Sequence, residues 1–357
     1  MSDRAQMTQL GIVVAGAGLI GRRHMELIAE SRECTLAGIV DPAPGAASLA
    51  QAAGIPLYGS LHQMFAQQHP DGVLIATPNA LHVDNALECI AQGVPALIEK
   101  PVAHTLDAGE RLVAAAERAG ARMLVGHHRA HSPLLAKARE LIRDGIIGNL
   151  VGVMGSAVFY KPDHYYDEGP WRRQSGGGPI LINMIHEIGI LRTLCGEIDA
   201  VQAIASNAMR GFPVEDTVAI SLRFANGALG TFLLSDTAAS ARSWEQTSQE
   251  NKAYPTYADE DCYVVMGTRG SLAIPTMRIK RYERDEDRSW WTPFKSEVAA
   301  VERQDPLELQ LAHFCAVVRG EALPLVTLRD GMQNLRVTEA IIEAARSGRL
   351  ITLEPAR

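Results

Sequence analysis

The sequence predicts an α/β protein. It has an N-terminal domain on a parallel sheet, then a second domain of one mostly antiparallel sheet and a few helices. Three observations carry that expectation. Short, continuously apolar runs alternate with helix-period segments over the first third of the chain, as they do where parallel strands are buried on both faces. Near Gly126 the pattern changes to longer strand-like runs. Between two of those runs stands Ala225-Asn226-Gly227, a hairpin signal because Asn-Gly tolerates the positive φ of tight turns.

Taken in order, the apolar runs cover residues 11–15, 36–40, 73–76, 96–98 and 123–125, and helices are expected at 20–29, 46–53, 61–67, 81–92 and 106–119. Gly54, Gly93 and Gly120 follow helical stretches, as C-terminal caps do. This alternation implies crossover connections. Past Gly126, a helix at 133–144 begins with Pro133, and strands are expected at 151–160, 201–206, 218–224, 229–235, 263–266 and 272–274. One helix, 180–194, interrupts the strands, and two more, 306–319 and 328–347, close the chain. Residues 239–261 are polar and unpatterned and read as a long loop. The expected division is residues 1–127 and 128–357.

Composition narrows the function. A chain of 357 residues has length for two cores. With 34 Lys+Arg against 41 Asp+Glu, a net charge of −7, it lacks the basic excess of a dedicated nucleic-acid binder. No apolar run approaches the roughly 20 residues that cross a bilayer. Residues 11–20 are apolar but short and glycine-rich, a strand and turn rather than a signal peptide. The five cysteines are scattered and never in C-x-x-C spacing, which suits a reducing cytoplasm.

Gly16-Ala17-Gly18-Leu19-Ile20-Gly21 is G-x-G-x-x-G between an expected strand and an expected helix. Gly16 permits the turn, Gly18 lets a pyrophosphate approach the backbone, and Gly21 lets the helix pack close to the sheet. The N–H groups at the helix start, around Leu19 and Ile20, face the phosphates. Asp41, 20 residues after Gly21, suits the ribose hydroxyls and favours NAD over NADP, while Arg22 is placed to hold a 2′-phosphate and keeps NADP open. This half is read as a dinucleotide-binding Rossmann domain.

Glu99-Lys100-Pro101 follows the run at 96–98, at the strand end where ligands of open parallel sheets bind. Beside a cationic nicotinamide the charged form of Lys100 is disfavoured, which suits proton transfer. Gly176-Gly177-Gly178 leads into a helix with Asn183 and His186, spaced i,i+3 and so on one face. Arg129, Tyr160, Trp171 and Arg172 are the further candidates for positioning a hydroxylated or anionic substrate. His127, His128 and His131 lack acids or cysteines at ligand spacing, so no metal is expected.

Together these residues resemble the Gfo/Idh/MocA family, named for glucose–fructose oxidoreductase and inositol dehydrogenase. The resemblance spans nearly the whole chain: residues 16–21 with His24, Asp41 in Val-Asp-Pro, Ala76-Thr77-Pro78-Asn79 with His82, Glu99-Lys100-Pro101, Trp171-Arg172, and the glycines before the His186 helix. It implies hydride transfer between a nicotinamide cofactor and a secondary alcohol or carbonyl, usually of a sugar or cyclitol. Thr77, Pro78, Asn79 and His82 would line the nicotinamide and its ribose, and Glu99 and Lys100 would border the reacting carbon. The resemblance also implies a Rossmann domain followed by a C-terminal α/β domain with a large, mostly antiparallel open sheet, which would be buried in a homodimer or homotetramer. One departure stands out: where many members carry an Asp four residues before the catalytic His, this chain has Ile182. Lys100 and His186 are then the expected proton-transfer pair. The rival readings are a non-sugar substrate, such as a dihydrodiol or hydroxy acid, and a non-catalytic cofactor-binding sensor.

Overall fold

The computed structural model describes residues 9–354. Its first sheet has six strands: β1 (Leu10–Ala15), β2 (Cys34–Val40), β3 (Leu57–Tyr58), β4 (Gly72–Ile75), β5 (Ala96–Ile98) and β6 (Met123–Val125). Helices α1 (Leu19–Glu30), α2 (Ala46–Ala53), α3 (Leu61–Phe65), α4 (His82–Ala91) and α5 (Leu106–Ala119) connect them. The strand order is β3-β2-β1-β4-β5-β6, and every pairing is parallel. Ile12, Val13 and Val14 of β1, like Leu97 and Ile98 of β5, are fully buried, which explains why these strands read as continuous apolar runs. The order reverses between β1 and β4, and in such sheets ligands bind beyond the strand ends at that reversal.

The second sheet contains β7 (Leu150–Val158), β8 (Ile198–Ser206), β9 (Thr217–Phe224), β10 (Leu229–Ser235), β11 (Tyr263–Gly267), β12 (Gly270–Ile274), β13 (Arg278–Arg281), β14 (Lys295–Val298) and β15 (Ile351–Thr352). Its order is β14-β13-β12-β11-β7-β10-β9-β8-β15, antiparallel except for the β7–β10 pair. The remaining helices are α6 (Pro133–Arg143), α7 (Asp163–Asp167), α8 (Ile185–Cys195), α9 (Trp244–Thr247), α10 (Pro306–Arg319) and α11 (Leu328–Ser347). Residues of β9 and β10 alternate buried and exposed. The buried set joins Leu134, Ile188, Leu191 and Ile341 in one core. On the exposed side Met154, Ile204 and Leu233 line a groove of about 610 Å³.

The chain forms two compact units, one running to His128 and including Leu307–Leu335, the other Arg129–Pro306 with the residues from Arg336 on. Sequence reading assigns all of 128–357 to one domain, whereas α10 and the start of α11 cluster with the first unit. The contacts give the reason. The space beside Gly72 is filled by Phe314 and Val318, that beside Gly109 by Met332, and Arg319 pairs with Glu33 at 2.7 Å. Apolar matching between elements so far apart in sequence leaves no local signal.

Other departures are local. β3, β13, β14 and β15 are two to four residues long, too short to show a period. Residues 239–261 are more than a polar loop: they contain α9 and bury Trp244, Thr247, Ser248 and Glu250. The helix expected at 180–194 opens with a π turn, Ile180–Met184, before α8 begins.

Candidate active site

In the first unit the site starts at the turn after β1. Gly16 has φ +96°, and a Cβ there would lie 2.4 Å from the Ala76 carbonyl oxygen. At Gly21 a Cβ would lie 1.9 Å from the Gly16 carbonyl oxygen. Both glycines are therefore demanded by the fold itself. Gly18 differs, since a Cβ there would meet nothing within 4 Å. It is the N-cap of α1, with no side chain capping the helix, and it is exposed together with Leu19. Open space in front of uncapped helix N–H groups is what a pyrophosphate requires, so the residues present fit a dinucleotide. The Asp41 carboxylate accepts hydrogen bonds from the N–H of Ala17 and of Ala43, each at 2.7 Å. Arg22 Nε donates to the Ala17 carbonyl at 3.0 Å. The peptide groups of Ala17 are thus gripped on both sides, by the two residues that bear on cofactor choice.

Across the reversal, β4 ends at Ile75, and Thr77, Pro78 and Asn79 form the next turn. Pro78 and Asn79 are exposed and Thr77 is half-buried, with its Oγ1 accepting from Asn85 at 3.1 Å. His82 departs from expectation. It is 1% exposed, with Nδ1 2.7 Å from the Pro101 carbonyl and Nε2 2.8 Å from the Thr77 carbonyl. It therefore stands between two turns rather than lining the surface, and as a neutral ring it donates to one of the two carbonyls at a time. Burial pushes its pKa below the ordinary histidine value, against the pull of the two carbonyls and Glu99.

Glu99 is also buried. Its Oε1 meets His24 Nε2 at 2.8 Å and its Oε2 accepts from the Lys100 N–H at 3.2 Å. Burial alone would raise this carboxyl. The hydrogen bond and charge of His24, with Lys100 and His128, hold it below the usual range instead. Lys100 stands half-buried at the end of this strand, before a cis peptide to Pro101.

In the second unit, Asn183 lies within the π turn and His186 in the first turn of α8. The wider winding breaks the simple i,i+3 alignment that an unbroken α-helix gives these two, and such turns recur at functional sites. Asn183 Oδ1 accepts from Lys161 Nζ at 2.7 Å. Lys161 also lies 3.5 Å from Asp236, which takes hydrogen bonds from Tyr166 at 2.6 Å and Arg210 at 3.1 Å. Tyr160 and Trp171 are exposed. The Arg172 guanidinium stacks 3.9 Å from the Tyr165 ring centroid and donates to the Tyr165 carbonyl. Lys161 Nζ lies 5.0 Å from the centroid of the same ring.

Arg129 does not fit its expected role. It is 4% exposed, and its two terminal nitrogens pair with Glu187 and Glu245, so it braces the fold instead of meeting a ligand. Glu187 also accepts from Tyr263, and burial raises its carboxyl. Of the three junction histidines, His127 is hydrogen-bonded to Asn334 at 3.2 Å. Among the described residues no cluster is arranged to hold a metal ion. Sequence reading missed Lys161, Asp236, Arg210 and Tyr166 as a unit, since they come from segments up to 75 residues apart; the basic and aromatic bias of the loop was its one visible sign.

Two family descriptions match the chain. "Oxidoreductase family, NAD-binding Rossmann fold" covers residues 10–127, and "Oxidoreductase family, C-terminal alpha/beta domain" covers 139–353. Among similar proteins, the rhizopine catabolism protein MocA of Rhizobium meliloti is 27% identical, over 94% of this chain and 95% of its own. The 1,5-anhydro-D-fructose reductase of Ensifer adhaerens is 28% identical, over 83% of each. A crystal structure of the WlbA dehydrogenase from Bordetella pertussis, in complex with NADH and UDP-GlcNAcA, superposes with a TM-score of 0.78 at 25% identity, covering 98% of this chain and 100% of the other.

Proposed function

Because the chain belongs to the Gfo/Idh/MocA family of NAD-binding oxidoreductases, we propose that it acts as a dehydrogenase or reductase on a secondary alcohol or carbonyl of a sugar, cyclitol or related polyhydroxylated compound. The observation that carries this reading is the setting of Lys100. It stands at the carboxyl end of β5, in the same sheet as the open glycine turn, in a turn whose flanking residues are held by buried hydrogen bonds. Bound nicotinamide supplies the hydride acceptor or donor. Gly16, Gly18, Leu19, Ile20, Gly21 and Asp41 hold the dinucleotide, and Thr77, Pro78 and Asn79 border its nicotinamide end. In the oxidative direction Lys100 and His186 hydrogen-bond the substrate hydroxyl and take its proton. Asn183, Tyr160, Trp171 and Arg172 orient the substrate. Ile182, in place of an acid, together with exposed Tyr160 and Trp171, favours as second reading a substrate with an apolar or conjugated face. The exposed groove at Met154, Ile204 and Leu233 we assign to self-association, since monomers rarely expose large apolar patches.

A panel of sugars, cyclitols, dihydrodiols and hydroxy acids, offered with NAD and with NADP, tests the reading by the absorbance of reduced cofactor. Positioned proton transfer contributes roughly 10²–10⁴-fold. Lys100→Ala and His186→Ala should each lower kcat by about that factor while NAD affinity persists. Wild-type turnover in both variants would remove the assignment.

A further inference from the structure

Lys100 has a buried histidine on each side of it. His24 Nε2 meets Glu99 Oε1 at 2.8 Å, and His82 Nδ1 meets the Pro101 carbonyl at 2.7 Å. The other nitrogen of His82 lies 2.8 Å from the Thr77 carbonyl, so the single N–H of the neutral ring serves one carbonyl or the other, and the ring stands between the turn after β4 and the turn after β5. We propose that His24 and His82 are positioning residues, which fix the turn presenting Lys100 and couple it to the Thr77 turn at the strand-order reversal. The proposal rests on the assignment of Lys100 as a proton-transfer group.

The burial of these side chains makes the argument. Both imidazoles are 1% exposed, so neither reaches a ligand directly, and an apolar side chain would fill the same space without the desolvation cost of a polar ring. What the rings add is directed hydrogen bonding. Proline has no N–H, so the carbonyl is the only backbone hydrogen-bonding group of Pro101, and Pro101 is buried. Without His82 that carbonyl loses its donor. Glu99 acts as an adapter: one oxygen is held by His24, and the other takes the Lys100 N–H. Gly126 makes room for it, since a Cβ there would come within 3.0 Å of the Glu99 Cα. Each residue flanking Lys100 is therefore pinned by a different helix, α1 through His24 and α4 through His82.

NAD+ and ADP-ribose, which lacks nicotinamide, separate positioning from general stability. Both are titrated into the full-length protein by calorimetry, for wild type, His82→Phe, His82→Gln and His24→Phe. In His82→Phe, ADP-ribose affinity should stay within about twofold of wild type, and NAD+ affinity should fall roughly tenfold, the size of one lost buried hydrogen bond. With a substrate found by the panel, kcat should fall about 10- to 100-fold in His82→Phe and His24→Phe, as for a reacting group displaced by up to about 1 Å. His82→Gln, which keeps one donor, should recover part of both losses. Equal losses of NAD+ and ADP-ribose affinity, or wild-type NAD+ affinity and kcat in both phenylalanine variants, overturn the proposal. Full activity in Lys100→Ala overturns the underlying reading instead, and is seen in a variant with both histidines intact.

Discussion

In the first unit the candidate site is shaped by main chain. Two glycines there have no room for a Cβ, and Asp41, Arg22 and His82 all meet main-chain groups, while His24 holds Glu99, whose other oxygen takes the Lys100 N–H. In the second unit the site is built from side chains that hold side chains: Lys161 on Asn183 and Asp236, Arg210 and Tyr166 on Asp236, Arg129 on Glu187 and Glu245. The first arrangement suits a ligand that is the same whatever the substrate, because backbone geometry is set by short local motifs. The second is set by individual side chains rather than by a fixed backbone motif, which suits a variable substrate.

The largest expected effect tests whether the side-chain network is structural as well as functional. Removing one partner of a buried ion pair costs about 3–5 kcal/mol. Arg129→Met should therefore lower the stability of the second unit by that order, read as a fall in Tm, and Glu187→Gln in the same chain should restore part of it. Additive losses in the double variant would mean that the two residues do not act as a pair. In the backbone-built unit the matching test is Gly21→Ala. Overpacking costs typically about 1–3 kcal/mol and occasionally more, and a Cβ 1.9 Å from a carbonyl oxygen belongs at the upper end. An unchanged Tm would show that α1 shifts freely against β1.

The networks should also differ in their response to pH. Burial pushes the Glu250 carboxyl from the ordinary 4.5 to about 7, against the pull of hydrogen bonds from Ser132 and Trp244. A raised pKa means that the folded form holds a proton the unfolded chain releases, so stability falls as pH rises from about 4.5 to about 7 and is level above that. The scale is about 1.4 kcal/mol per pKa unit. Denaturant titrations across this range should show that slope, and Glu250→Gln should flatten it. A slope retained in the variant assigns it to another group.

The same contrast explains what the sequence reveals. The placement of Gly16 and Gly21 at a turn and helix start, and of Asp41 and Lys100 just past strand ends, is legible because such junctions leave a fixed spacing. The parallel sheet was legible because strands buried on both faces are apolar throughout. Arg129 misled because its position at a junction looked available, and its acidic partners lie 58 and 116 residues away. His82 misled for the opposite reason: its motif marks the turn correctly, but whether the ring faces ligand or backbone depends on Pro101, 19 residues on. The π turn left no trace, since nothing in Ile180–Met184 requires the wider winding in isolation.

Gly18 gives the smallest effect and the sharpest one. Its neighbours in the motif are glycine because the protein has no room there, whereas a Cβ at Gly18 meets only open space. Alanine should therefore cost the apo fold only the N-cap preference for glycine over alanine, about 0.5–1 kcal/mol. The cost should appear on binding, where the methyl stands between the backbone and a pyrophosphate. Gly18→Ala should keep its Tm within about 2 °C, and bind both NAD+ and ADP-ribose roughly tenfold more weakly, about 1.4 kcal/mol. That pattern is the reverse of His82→Phe, which should spare ADP-ribose. If Gly18→Ala binds both ligands as wild type does, the pyrophosphate does not cross the turn at Gly18, and the space there needs another occupant.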